Sequence, residues 1–182
     1  PEVTASRQPE PDSYGWSNKK VTVTFSGNDS LSGIAYCEPE KEVSAEGSSQ
    51  TISGWCIDYA GLSSTAALTV NIDTTTPDIS YLQTPPANAA GWNNTDVTVS
   101  FACIDGLSGV LNCPQNMILS EEGTGISTEA YSTDHAGNVS TVVITGMNID
   151  KTAPVLSVLS PSGGVFVASQ GLIPVRFTVT DN

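Results

Sequence analysis

The strongest constraint on this chain is that it repeats itself. Gly15-Trp16-Ser-Asn-Lys-Lys-Val-Thr-Val-Thr-Phe25 returns as Gly91-Trp92-Asn-Asn-Thr-Asp-Val-Thr-Val-Ser-Phe101, an offset of 76 residues. Leu31-Ser-Gly-Ile34 returns as Leu107-Ser-Gly-Val110, and Asp58-Tyr-Ala-Gly61 as Asp134-His-Ala-Gly137. Asn71-Ile-Asp-Thr-Thr-Thr-Pro77 returns as Asn148-Ile-Asp-Lys-Thr-Ala-Pro154. Such a period is too long for a solenoid unit and suits a small domain with its own core. It predicts domains at residues 1–76 and 77–153, and the first strands of a third, incomplete domain at 154–182. A start at Pro1 rather than Met marks the chain as an expected piece of a longer array. The copies also serve as controls on each other: a residue present in one and absent from the other is a poor candidate for a shared function.

Local pattern points to an all-β chain. Val21-Thr-Val-Thr-Phe25 and Val97-Thr-Val-Ser-Phe101 alternate apolar and hydroxyl residues, the period of a half-buried antiparallel strand. Gly, Pro, Asn, Asp and Ser punctuate the chain at the spacing of a sandwich. The first copy predicts strands at 2–7, 20–27, 33–37, 41–44, 50–57 and 63–73. The second predicts 78–83, 96–103, 109–113, 116–120, 126–133 and 139–150, with turns at Asp105–Gly109, Glu122–Gly125 and Asp134–Asn138. In the last strand, Ala66, Leu68, Val70 and Ile72 alternate cleanly, whereas Val142 and Ile144 are followed by Gly146, Met147 and Ile149. One extra residue has entered, and a β-bulge near Gly146 would restore the phase. In the third copy Val175–Asp181 matches Val23–Asp29; its unpaired strands predict the need for a partner.

Six basic against nineteen acidic residues leave a net charge of −13. That charge argues against nucleic acid and anionic lipid as partners. No apolar stretch is long enough to insert in a membrane, and no signal peptide is visible. Cys37 and Cys113 occupy equivalent positions, but their companions Cys56 and Cys103 do not. Pairs within each domain suggest disulfides Cys37–Cys56 and Cys103–Cys113, each worth about 3 kcal/mol in the chain-entropy model. Four reduced, buried thiols are the alternative; no Cys-x-x-Cys or Cys/His cluster suggests a metal. Disulfides place the chain outside the cytoplasm, secreted or at a cell surface.

Taken together, Gly-Trp before Val-Thr-Val-Thr-Phe, Asp-x-x-Ser-Gly-Val/Ile, an acidic Glu-Gly turn, Asp-x-Ala-Gly-Asn and Asn-Ile-Asp-x-Thr-Ala-Pro resemble the bacterial immunoglobulin-like repeats of secreted and surface-anchored proteins. The likeness runs through residues 1–153 and into the third copy. Copy one departs from it at Leu62, where Asn138 stands in copy two, and at Gly27, where Cys103 stands. The resemblance implies tandem immunoglobulin-like β-sandwiches of about 76 residues, and we expect them to form an extended rod. It implies a spacer, stalk or adhesive role and no catalysis by the module.

The only histidine, His135, is Tyr59 in the first copy. This argues against a shared general base or metal ligand and suggests a solvated turn residue. No Ser/His/Asp set can be assembled in copy one, and no enzyme is expected. The recurring aspartates Asp29, Asp58, Asp73, Asp105, Asp134 and Asp150 admit two readings: each closes its own turn, or they hold calcium through oxygen ligands. Calcium is thus the one cofactor the pattern admits. Trp16 and Trp92 are either plugs over a sandwich end or an exposed platform for sugars. Asn28, Asn93 and Asn138 fit the N-glycosylation pattern.

The expected function is a non-enzymatic extracellular spacer, partnered by neighbouring immunoglobulin-like domains of the same or another chain. The rivals are an accessory module binding a surface glycan or protein, and a filament subunit assembling by β-strand addition through the incomplete third domain.

Overall fold

The computed structural model describes residues 1–160 and 175–181; the part of the third-copy expectation falling on residues 161–174 and Asn182 lies outside the described residues. Every regular element among them is a strand. The first repeat contributes β1 (Glu2–Gln8), β2 (Val21–Asn28), β3 (Ile34–Cys37), β4 (Lys41–Val43), β5 (Gly47–Asp58) and β6 (Ser63–Ile72). The second contributes β7 (Asp78–Thr84), β8 (Val97–Ile104), β9 (Val110–Asn112), β10 (Met117–Leu119), β11 (Gly123–Asp134) and β12 (Val139–Ile149). Beyond them β13 (Val155–Ser160) pairs with β14 (Arg176–Thr180). The described residues gather into two compact units: Pro1–Leu82 with Val99–Met117 and Thr128–Ile144, and Gln83–Thr98 with Ile118–Ser127 and those from Thr145 onward.

In the first repeat the strands form two three-stranded sheets, β1-β2-β4 and β3-β5-β6. The alternation of β2 turns Val21, Val23 and Phe25 inward, and that of β6 brings Val70 and Ile72 against them. Ala5, Val43, Ile52 and Leu68 pack around this cluster, so both sheets share one core, the arrangement of a β-sandwich. Each such aliphatic side chain contributes about 1.5–3 kcal/mol when fully buried. The second repeat has the same sheets, β7-β8-β10 and β9-β11-β12.

The signature residues at the end of each repeat are tied into its frame. Ser17 makes a short parallel bridge with Ile72, as Asn93 does with Ile149. The Asn71 side chain donates to the Gly15 carbonyl at 2.9 Å and accepts from the Ser49 N–H at 2.7 Å. Asn148 does the same with Gly91 and Gly125.

Two details bear on the expected strands. Gly146 has φ +76°, Thr145 and Gly146 are both exposed, and Ile144, Met147 and Ile149 are buried. The extra residue is therefore absorbed where the broken alternation placed it. The expected turn Glu122–Gly125 is corrected: β11 begins at Gly123. Its first-repeat counterpart, β5, shifts register between Gly47 and Gln50. Ser49 (φ +55°) and Gly125 (φ +63°) occupy equivalent left-handed positions, so the Gly-rich signal marks an irregular strand entry rather than a connection.

Candidate functional site at the repeat junction

All six recurring aspartates close a turn of their own. Asp29 Oδ1 accepts from the N–H groups of Leu31, Ser32 and Gly33 and from the Ser32 hydroxyl. The Ser32 N–H, the largest influence, helps hold its carboxyl at a pKa of about 2. Asp105 Oδ1 accepts from Leu107 and Gly109. Asp58 and Asp134 accept from the amides of Leu62 and Asn138, both at 2.8 Å. Asp73 and Asp150 accept from Thr75 and Thr152.

Three of the six do more. Within the first unit, Asp73, Asp105 and Asp134 each bring one carboxylate oxygen to within 4.8 Å of the others. Asp73 and Asp134 are fully buried. Asp73 Oδ2 accepts from the Ser108 N–H at 2.9 Å. Asn138 Nδ2 lies 2.9 Å from the Asp73 carbonyl, 3.1 Å from the Thr75 carbonyl and 2.7 Å from Asp134 Oδ2. Three carboxylate oxygens gathered this closely form a candidate site for calcium, which binds through oxygen ligands. The all-oxygen donor set suits a hard cation and not zinc. Asp29 and Asp58, the first-repeat counterparts of Asp105 and Asp134, are not members of this group. The six aspartates thus do not form a single site.

The linker that carries Asp73 is also held by a residue that sequence reasoning passed over. Glu46 accepts from the Thr74 N–H, from the Thr74 hydroxyl and from the Thr75 hydroxyl. These bonds, the Thr74 hydroxyl first, lower the Glu46 pKa. In the second unit Glu122 accepts from the Lys151 N–H and the Thr152 hydroxyl. The recurrence of Glu46 with Thr75 as Glu122 with Thr152 was the available signal. Asp73 to Pro77 is therefore gripped from both sides: by Glu46 of its own repeat, and by Ser108 and Asn138 of the next.

His135 is corrected from a solvated turn residue to a packed one. Its Nδ1 lies 2.9 Å from the Gly109 carbonyl, and its ring meets Tyr14 edge-on with centroids 4.8 Å apart. Ala136 beside it is buried. The counterparts Tyr59 and Ala60 are exposed. Trp16 and Trp92 are half-buried, their backbone N–H groups bound by Asp12 and Asn88. Of the glycosylation motifs, Asn93 is buried and bonded to Gln83 and Pro85, and Asn138 is committed to the linker; Asn28 is exposed.

The expected cysteine pairs are both present. Cys37 and Cys56 are direct cross-strand partners on β3 and β5. Cys103 on β8 joins Cys113, which follows β9, and so staples the two sheets of the second repeat. No family model matches the chain, and no curated protein matches it.

Proposed function

We propose that this chain is a non-enzymatic extracellular spacer of the bacterial immunoglobulin-like repeat type, holding successive domains in fixed register. The observation that carries the reading is the double grip on residues 73–77. A free Thr-Thr-Thr-Pro linker would flex; one whose polar groups are bound from both sides resists bending. The disulfides suit an oxidising compartment, and no helix among the described residues is long and apolar enough to cross a membrane. Small-angle scattering tests the proposal. Glu46→Gln with Asn138→Leu should broaden the distance distribution while leaving each domain folded; an unchanged distribution rejects the fixed register.

A second reading rests on β13 and β14. Val155, Leu156, Val158, Phe177 and Val179 are all exposed on this two-stranded sheet. Strands from a second copy would cover them, as β5 and β6 face β1 and β2, and would build a filament. Sedimentation at rising concentration tests it: polymers lost on removing residues 154–182 support assembly, and a monomer throughout rejects it.

A further inference from the structure

We propose that Tyr36 and Trp55 form a stacking site for a neutral glycan on the outer face of the β3-β5-β6 sheet. Tyr36 is 48% and Trp55 39% exposed, and their ring centroids lie 5.5 Å apart with planes inclined at 52°. They stand on adjacent strands. The Glu38 N–H donates to the Trp55 carbonyl, and Thr65 is the register partner of Trp55 on the other side. Trp55 thus sits in a cross-strand row between Glu38, whose carboxylate is paired with Lys41 at 2.8 Å, and Thr65, while Tyr36, opposite Ile57, lies diagonally beside it. Elsewhere the exposed positions of this sheet are small, with hydroxyls at Thr51, Ser53 and Thr69 and methyl groups at Ala35 and Ala67. An apolar island in a hydroxyl-rich field matches a pyranose, whose ring carbons offer an apolar face and whose rim carries hydroxyls. Two inclined rings would cradle successive sugars of a twisted chain.

The base is preorganised. The disulfide partners Cys37 and Cys56 are the immediate neighbours of Tyr36 and Trp55, so the strands bearing the rings are covalently joined beside them. A stacking surface already fixed in place loses little freedom on binding. The net charge of −13 selects against polyanionic glycans and leaves neutral ones. In the second repeat Asn112 and Tyr131 occupy the equivalent positions. With one ring and no pair, that repeat is an internal control.

Affinity electrophoresis of the full chain through gels containing a β-glucan, a mannan, a xylan or hyaluronan provides the test. At least one neutral polysaccharide should retard the wild type. Trp55→Ala and Tyr36→Ala should each weaken the interaction about tenfold, Trp55→Phe should retain most of it, and Tyr131→Ala should leave it unchanged. Melting curves confirm that each variant is folded. The proposal is overturned if no neutral polysaccharide retards the chain, if only hyaluronan does, or if folded Trp55→Ala binds as well as wild type.

Discussion

Cys56 occupies the space that a side chain on Gly27 would need. A Cβ on Gly27 would lie 3.0 Å from Cys56 Sγ and 2.9 Å from Ile34 Cδ1. In the second repeat the position of Gly27 is Cys103 and that of Cys56 is Ser132, which is buried and donates to the Asn112 carbonyl. The two copies fill one space from opposite sides. Gly27→Ala should therefore lower stability by about 1–3 kcal/mol through overpacking, measured by denaturant unfolding. Gly27→Cys combined with Cys56→Ser should transfer the second repeat's bridge to the first, seen as no free thiol by mass spectrometry.

Gly54 meets a similar limit. A Cβ there would overlap the Phe25 ring, which is buried, whereas the equivalent positions of the second repeat hold Ala130 and a less buried Phe101. Gly54→Ala should cost about 1–3 kcal/mol, and calorimetry should show a lowered transition. A melting temperature equal to wild type would mean that the ring moves without cost.

Acid should weaken the molecule through Asp29 and Glu46. Both carboxyls are lowered in the folded state, Asp29 from 3.8 to about 2 and Glu46 from 4.5. The stability they contribute is complete above those ordinary values and is lost as pH falls through the folded ones. Thermal melts from pH 5 to 2 (roughly the window these shifts define) should show a smaller decline for Asp29→Asn than for wild type. Parallel declines would remove Asp29 from the account.

Much of the frame was legible because its signals are local. Period-two alternation marks the strands, and the phase slip at Gly146 marks an inserted residue. What escaped depends on contacts between distant residues. Asn138 reaches the linker across 63 to 65 positions, and Glu46 reaches Thr74 across 28. No periodicity encodes such a meeting. The Glu-Gly segment misled for a related reason: positive φ serves a turn and an irregular strand entry equally well.

Replacing Asn138 by its counterpart should loosen the junction. Asn138→Leu removes the bonds to the Asp73 and Thr75 carbonyls and leaves a buried Asp134 oxygen without its donor. The cost should be about 1–3 kcal/mol. Hydrogen exchange at the Ser108 amide should quicken, while that of β2 stays slow.

Calcium should act on the convergent carboxylates and not elsewhere. If the ion occupies Asp73, Asp105 and Asp134, millimolar calcium raises the melting temperature and Asp105→Asn abolishes the rise. A titration with neither heat nor shift would leave these groups as turn closers alone.

The two-sided hold on the linker also bears on how such a chain changes over generations. Glu46 reads the linker from one side and Asn138 from the other, so adding or deleting a residue between Asp73 and Pro77 would put one of them out of step. Copying the second repeat whole carries both Glu122 and Asn138 to the new seam, whereas the first repeat supplies Leu62 in place of Asn138. A seam held in this way should tolerate a whole added repeat that brings both partners better than a single residue inserted within it.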